Sequence, residues 1–289
     1  MISFANNNFP LQRHKTLDKP TIASLWLGPR LTFLEQVCLK SFYDHGHRVI
    51  LYAYDQIENA PNGIEVQNAS PILRNDEQIV NKQSGSPAAI ADKFRYHMLK
   101  QTDYVWVDTD ACCIKPFPSQ PYFFARYFNY SVNNSVLRLP KDSPTLERLL
   151  EFTSTSNYTD LPPGMYNSPP SRRLIQERQR KGETVHVSEL DHETWGPLAL
   201  THFLLETGEY RETMKDDVLN PLSAARIGKT VRPKAKVQLE LPECCLSVHF
   251  YGTHIRRVLR ALGGLPAETS FLSELCLQHG IDPKQAPIV

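Results

Sequence analysis

Two carboxylates stand at i and i+2 in Asp108-Thr109-Asp110, directly after the apolar run Tyr104-Val105-Trp106-Val107. Charges are rare beside a buried strand, so an acidic pair at the end of one calls for an explanation. The chemistry open to it is metal chemistry. A hard divalent cation such as Mg²⁺ or Mn²⁺ takes oxygen ligands, commonly one or two carboxylates together with the phosphates of a substrate. Held there, it acts as a Lewis acid toward a departing diphosphate. The same tripeptide is also common as a solvated turn, so its weight rests on the strand that precedes it.

Other polar residues fall at informative places, each with a plain alternative. Asp92 and Arg95 are spaced i to i+3 and share one face of an expected helix, where a surface ion pair would contribute little. Trp26 ends an apolar run and can be a packing residue. Asn134 can be a turn former. His249 sits in a late apolar run, where a hydrogen-bonded core histidine is the ordinary reading, with His254 close by. Arg256, Arg257 and Arg260 follow it and read first as a solvated basic helix face, with cover for a diphosphate or an anionic lipid headgroup as the second reading. Arg172, Arg173, Arg178, Arg180 and Lys181 read as a solvated face as well.

The elements that must carry these residues alternate. Residues 21–28 form a short apolar run ending in Gly-Pro, a strand signal. Over residues 31–45 the apolar positions recur at helical spacing, and residues 48–54 (RVILYAY) are rich in strand formers. Strand, helix, strand at this spacing is a βαβ unit with parallel strands. Residues 55–85 are polar and expected to be irregular. Ser86-Pro87 opens a helix over 88–101, Ser86 being the N-cap. The strand at 104–107 then delivers the acidic pair to its C-terminal end, where open α/β sheets bind ligands. Strands are expected at 122–127, 132–139 and 246–251, and helices at 143–152, 172–182, 195–206 and 270–280. The fold class is thus α/β, a Rossmann-like domain with a mostly parallel sheet flanked by helices.

With 289 residues, 41% hydrophobic and 22% charged, the chain has the composition of an ordinary globular protein. A net charge of +1 argues against nucleic acid as a partner. No run approaches the roughly 20 apolar residues that cross a bilayer. Residues 1–19 are polar and lack the apolar core of a signal peptide, so a cytoplasmic protein is expected. The six cysteines include two adjacent pairs without zinc-site spacing, and read as buried thiols. No linker splits the chain. A single domain is expected over 1–289, in two halves at 20–120 and 121–289.

That division follows from a resemblance. The order Trp26-Leu27-Gly28, Ala91-Asp92-Lys93-Phe94-Arg95, Tyr104 through Asp110, and Lys115-Pro116 resembles the DxD-containing GT-A glycosyltransferases. Within them the likeness is to the group of bacterial capsule and lipopolysaccharide sugar transferases, yeast mannosyltransferase-like proteins, α1,4-galactosyltransferases and glucosylating toxins. It spans residues 22–116 and continues more thinly through Asn133-Asn134, Thr194-Trp195-Gly196-Pro197 and His249. Ala91 replaces the group's usual Ser, and Lys100-Gln101-Thr102-Asp103 stands where a Gly-Gly is usual.

The resemblance implies roles. Trp26 would contact the nucleotide base and Asp92 the ribose or sugar hydroxyls. Arg95 would hold the phosphate or donor sugar, and Asn134 would position donor or acceptor. Asp110 would bind the metal directly, Asp108 the ribose or the metal through water, and His249 the metal or diphosphate. The implied reaction is transfer, with retention, from a nucleoside-diphosphate sugar to a carbohydrate or glycolipid hydroxyl, with Mn²⁺ or Mg²⁺. UDP-hexoses come first as donors, and GDP-mannose is an outsider. A bacterial source, a place in surface polysaccharide or lipopolysaccharide assembly, and peripheral contact with the inner membrane belong to the same expectation. No nucleophile is identifiable, so front-face displacement and a covalent intermediate both stay open. Two other functions compete: a metal-dependent phosphohydrolase using Asp108, Asp110 and His249, and a non-catalytic GT-A-like binding protein.

Overall fold

The computed structural model describes residues 19–77, 79–128, 130–165 and 168–289. The polar N-terminal segment lies outside the described residues apart from Lys19. The chain opens with β1 (Ile22–Trp26), α1 (Phe33–Asp44) and β2 (Val49–Ala53). Then come β3 (Ile64–Asn68), α2 (Ala88–Gln101), β4 (Val105–Val107) and β5 (Ala111–Cys113). The second half contains β6 (Phe123–Phe128), β7 (Ser131–Arg138), α3 (Pro144–Phe152), β8 (Asn157–Tyr158), α4 (Pro169–Arg180) and β9 (Val185–His186). It ends with α5 (Ala199–Thr207), the single turn α6 (Asp216–Leu219), β10 (Ser247–His249), α7 (Gly252–Ala261) and α8 (Phe271–Gln278).

Six strands form one mixed sheet in the order β3-β2-β1-β4-β7-β6. The first four run parallel, and β7 and β6 pair antiparallel at the far side. The α/β class and the mostly parallel sheet flanked by helices therefore match the expectation. β1, β2 and β4 are buried on both faces apart from Trp26 at the end of β1, which is why they read as continuous apolar runs. Alternate residues feed two layers: Ala23, Leu25 and Trp106 pack toward α2, while Ile22, Val105 and Val107 pack with Leu39 and Phe42 of α1. Ser24, the one polar residue in β1, is satisfied by donating to the Val107 carbonyl at 2.6 Å, tying β1 to β4.

Three local details differ from expectation. The polar stretch holds β3, an edge strand that is mostly exposed and so carries no apolar signal. Pro87 takes the N-cap position of α2, with the Ser86 hydroxyl still accepting from the Ala88 N–H at 3.2 Å. The helix expected from residue 195 begins instead with a wide π turn, Thr194–Leu198, because Gly196 adopts φ −92°, ψ −114° and interrupts the helical path.

β1 lies between β2 and β4, so chain connections leave it in opposite directions. Such a reversal opens a crevice at the carboxyl ends of the strands. Trp26 closes β1 and Asp108 follows β4, placing both on that crevice.

Candidate functional site

The acidic pair occupies a turn held on all sides. The Asp108 N–H donates to the Ser135 carbonyl of β7 at 2.6 Å, and the Ala111 N–H closes the turn onto the Asp108 carbonyl at 2.9 Å. β5 then leaves the main sheet and pairs antiparallel with β10, setting Ala111 opposite His249. The register brings His249 Nε2 within 3.3 Å of Asp110 Oδ1. Beyond β10 the chain turns sharply through Tyr251, at φ 51° and ψ 70°. A non-glycine residue in this region is strained and persists only where the surroundings dictate it. Here the turn starts α7 so that the Gly252 N–H meets Asp110 Oδ2 at 2.5 Å. It also lays the Tyr251 ring on the His249 ring, with centroids 4.2 Å apart.

Asp108, Asp110 and His249 thus offer ligand atoms that all lie within 4.8 Å of one another. Two carboxylates and an imidazole converging at the mouth of a crevice fit a divalent cation. Burial alone would raise the Asp110 carboxyl. The charge and hydrogen bond of His249, the Gly252 N–H and Arg256 outweigh it and hold the group down at about 2. Burial would likewise lower His249, and the facing Asp110 and Asp108 carboxylates push it up instead. The pair is an ion pair whose imidazole proton a cation would replace.

Asp108 is braced from behind. Its Oδ1 accepts from the Trp106 indole N–H at 2.8 Å and from Arg95 Nη2 at 3.1 Å. Arg95 also reaches Asp92 Oδ1 at 3.1 Å, donates to the carbonyls of Asn134 and Ala91, and lies 4.7 Å over the Trp106 ring. Asn134 Nδ2 donates to Asp92 Oδ1 at 2.8 Å. The Arg95 and Asp92 side chains are 4% and 5% exposed, so the surface-ion-pair reading does not hold. Burial pushes Asp92 up to about 7, with Arg95 opposing and the Asp108 charge adding to it. Gly196 closes over this group: a Cβ there would stand 2.9 Å from both Asn134 Nδ2 and Asp92 Oδ2.

The crevice has two chambers that share Trp26. One of about 430 Å³ is lined by Arg95, Trp106, Asp108, Asp110 and Arg256. The other, of about 220 Å³, is lined by Tyr54, Asp55, Asn75, Ile79 and Ile90. Asn75 Oδ1 is buried without a hydrogen-bond partner among the described residues.

Trp26, Arg95, Asp108, Asp110 and His249 therefore gather at one place, with Asp92 and Asn134 directly behind them. His254 is exposed and outside the ligand cluster. Arg257 and Arg260 are exposed on α7, as a solvated face requires, but Arg256 turns into the crevice and pairs with the buried Glu35. Sequence reasoning missed three contributors, the Trp106 indole N–H, the Gly252 N–H and Glu35, and gave no role to Asn133, whose Nδ2 lies 3.5 Å from His249 Nδ1. Only Glu35 had a local signal, as the residue three after Thr32 at a helix start.

No protein-family model matches the sequence, and no curated protein matches it. Among solved structures the fold is similar to one described as PaToxG glycosyltransferase, at 12% identity and a TM-score of 0.39, over 67% of this chain and 73% of that one. It is also similar to a transferase carrying two cysteine-to-serine substitutions, at 14% identity and a TM-score of 0.30, over 50% of this chain and 81% of that one. Likenesses this distant assign no activity.

Proposed function

We propose that the protein is a glycosyltransferase that moves a sugar from a nucleoside-diphosphate sugar to a carbohydrate or glycolipid hydroxyl. The observation that carries this reading is the convergence of Asp108, Asp110 and His249 within 4.8 Å at the topological switch point, facing the two-chambered crevice. A divalent cation bound there, Mn²⁺ or Mg²⁺, supplies charge neutralisation for a leaving diphosphate. The protein's own groups do the rest. Gly252 and His249 fix the Asp110 carboxylate, and Arg95 and Trp106 fix Asp108, so neither must reorganise when charge develops. Trp26 lines both the diphosphate chamber and the smaller chamber, which we assign to the nucleoside. Asp92, held by Asn134 under Gly196, braces Arg95 behind the donor chamber.

In this reading residues 20–120 hold the donor, and residues 121–289 return His249 to the metal and shape the acceptor side. Hexose transfer from UDP with retention, in surface polysaccharide assembly, is the specific form proposed. The test is turnover of a panel of UDP- and GDP-sugars with and without manganese, with sugar linkage read by mass spectrometry and NMR. Manganese-dependent donor cleavage supports the reading. No cleavage of any donor, with manganese-dependent phosphomonoester hydrolysis instead, would reassign the same three residues to a phosphohydrolase.

A further inference from the structure

We propose that the phosphate-binding cation of the crevice is Arg256 on α7, oriented by the buried carboxylate of Glu35 on α1, and that Arg95 is a positioning residue beneath Asp108. This rests on the donor reading above and reassigns the phosphate contact that the resemblance gives to Arg95.

The larger chamber is lined by two cations, Arg95 and Arg256. A guanidinium has five N–H donors in a fixed fork, so each can be accounted for against its partners. Arg95 engages four of its five donors: Nε on the Ala91 carbonyl, one Nη1 hydrogen on the Asn134 carbonyl, and Nη2 on both Asp92 and Asp108. Its face is taken by Trp106 and its side chain is 4% exposed. A phosphate meets at most the one remaining Nη1 hydrogen of this nearly enclosed group. Arg256 is placed differently. Its side chain is 22% exposed, Nη2 is anchored on Glu35, and Nη1 makes only a 3.5 Å contact with the Thr32 hydroxyl. Its Nε makes no hydrogen bond among the described residues and lies on the side of Gly252, next to Asp110.

Glu35 explains why that fork is fixed. It caps α1, accepting from the Thr32 N–H at 2.8 Å and the Thr32 hydroxyl at 2.5 Å. A glutamine at this position caps a helix as well, and a capping glutamate normally keeps its charge in water. Glu35 is instead fully buried. Burying a charge is costly unless it is paired, and its pair is Arg256. The charge thus serves the fork rather than the cap. A cation would be held by Asp108, Asp110 and His249, and a diphosphate in the same chamber would accept charge-assisted bonds from Arg256.

The test uses manganese pyrophosphate as the probe, titrated calorimetrically into the full chain, with manganese UDP and manganese GDP as companions. Arg256→Gln alone would leave Glu35 buried without its partner, so the decisive variant is the neutral pair Glu35→Gln/Arg256→Gln, which keeps the shape and the cap. Its melting temperature and its affinity for manganese alone should stay near those of the parent. Its affinity for manganese pyrophosphate should fall about tenfold to a hundredfold, the range for losing a hydrogen bond to a charged group. Glu35→Gln alone should weaken binding by a smaller factor, since Arg256 remains but is no longer held. Undiminished pyrophosphate binding by the folded double variant overturns the proposal. If the parent binds neither nucleotide but binds pyrophosphate through Arg256, the donor reading fails and the anion site stands. If the parent binds none of the three probes, both fail.

Discussion

Asp110 has both oxygens engaged before any cation arrives, one by His249 Nε2 and one by the Gly252 N–H. Asp110→Asn keeps the shape, removes the charge that draws metal, and sets an amide N–H2 against either a backbone N–H or the imidazole. Manganese-dependent turnover should fall by about a hundredfold or more, as for other losses of transition-state charge stabilisation. Near-normal turnover in a folded Asp110→Asn protein would remove the metal site. Arg95 is a different case, because its loss strands the buried Asp92 carboxylate and unpairs Asp108 at the chamber wall. Arg95→Ala should cost about 3–5 kcal/mol of stability, read by urea denaturation, where a surface pair would cost under about 1 kcal/mol. Gly196→Ala should cost about 1–3 kcal/mol, since its methyl would press on Asp92 and Asn134 at 2.9 Å. The acidic pair was legible in the sequence because an apolar strand runs straight into it. The partners of Arg95 were not, because nothing in an i to i+3 spacing says whether a helix face is wet or buried.

The elements around the site were legible wherever burial writes a pattern. β1, β2 and β4 are apolar apart from Ser24 and α1 carries a clear stripe. β3 was hidden because IEVQN lies at the sheet edge and faces water, and β5 because three residues are too few to show a period, whereas β10 falls inside the strand expected at 246–251. His249 joined the site through that short β5–β10 pairing, which no local spacing announces. Positions between elements also carry stability. His47, just before β2, is buried, with Nδ1 bonded to the Pro20 carbonyl at 2.9 Å and Nε2 accepting from the Phe117 N–H at 3.0 Å. Those partners require a neutral ring. Burial lowers His47 below its ordinary 6.5, with the Pro20 bond opposing. A group lowered in the fold binds protons more readily when unfolded, so its contribution is complete above about pH 6.5 and is lost as pH falls toward the folded value. Melting temperature should therefore drop between pH 7 and pH 5 more steeply in the parent than in His47→Gln, whose amide can serve both partners without titrating. Parallel pH profiles for the two would show that His47 does not titrate in this window.

At the scale of the whole molecule, the site is assembled from both ends of the chain. β1, α2 and β4 bring Trp26, Arg95 and the acidic pair, β7 brings Asn133 and Asn134, and β10 with α7 returns His249 and Arg256. No helix among the described residues is long and apolar enough to cross a membrane. Because α7 and the β10–β5 pair pack with α1 and α8 in one apolar cluster, a ligand that holds Asp110 and Arg256 together also clamps the C-terminal part of the chain to the sheet. Ligand binding should therefore appear as global stabilisation. Manganese alone replaces the Asp110–His249 ion pair and gains little net charge pairing, so a small rise in melting temperature is expected. A nucleoside diphosphate alone meets Arg256 but brings its charge beside the Asp108 and Asp110 carboxylates, so its shift should also be small. Together they should act far beyond the sum, because the cation offsets those two carboxylates and adds its charge to that of Arg256. At a hundredfold excess over the dissociation constant, mass action contributes about 2.7 kcal/mol. The measurement is a thermal melt with manganese, with UDP or GDP, and with both. Additive shifts would mean that metal and nucleotide occupy separate places, and the two-chambered crevice would then not be a donor site.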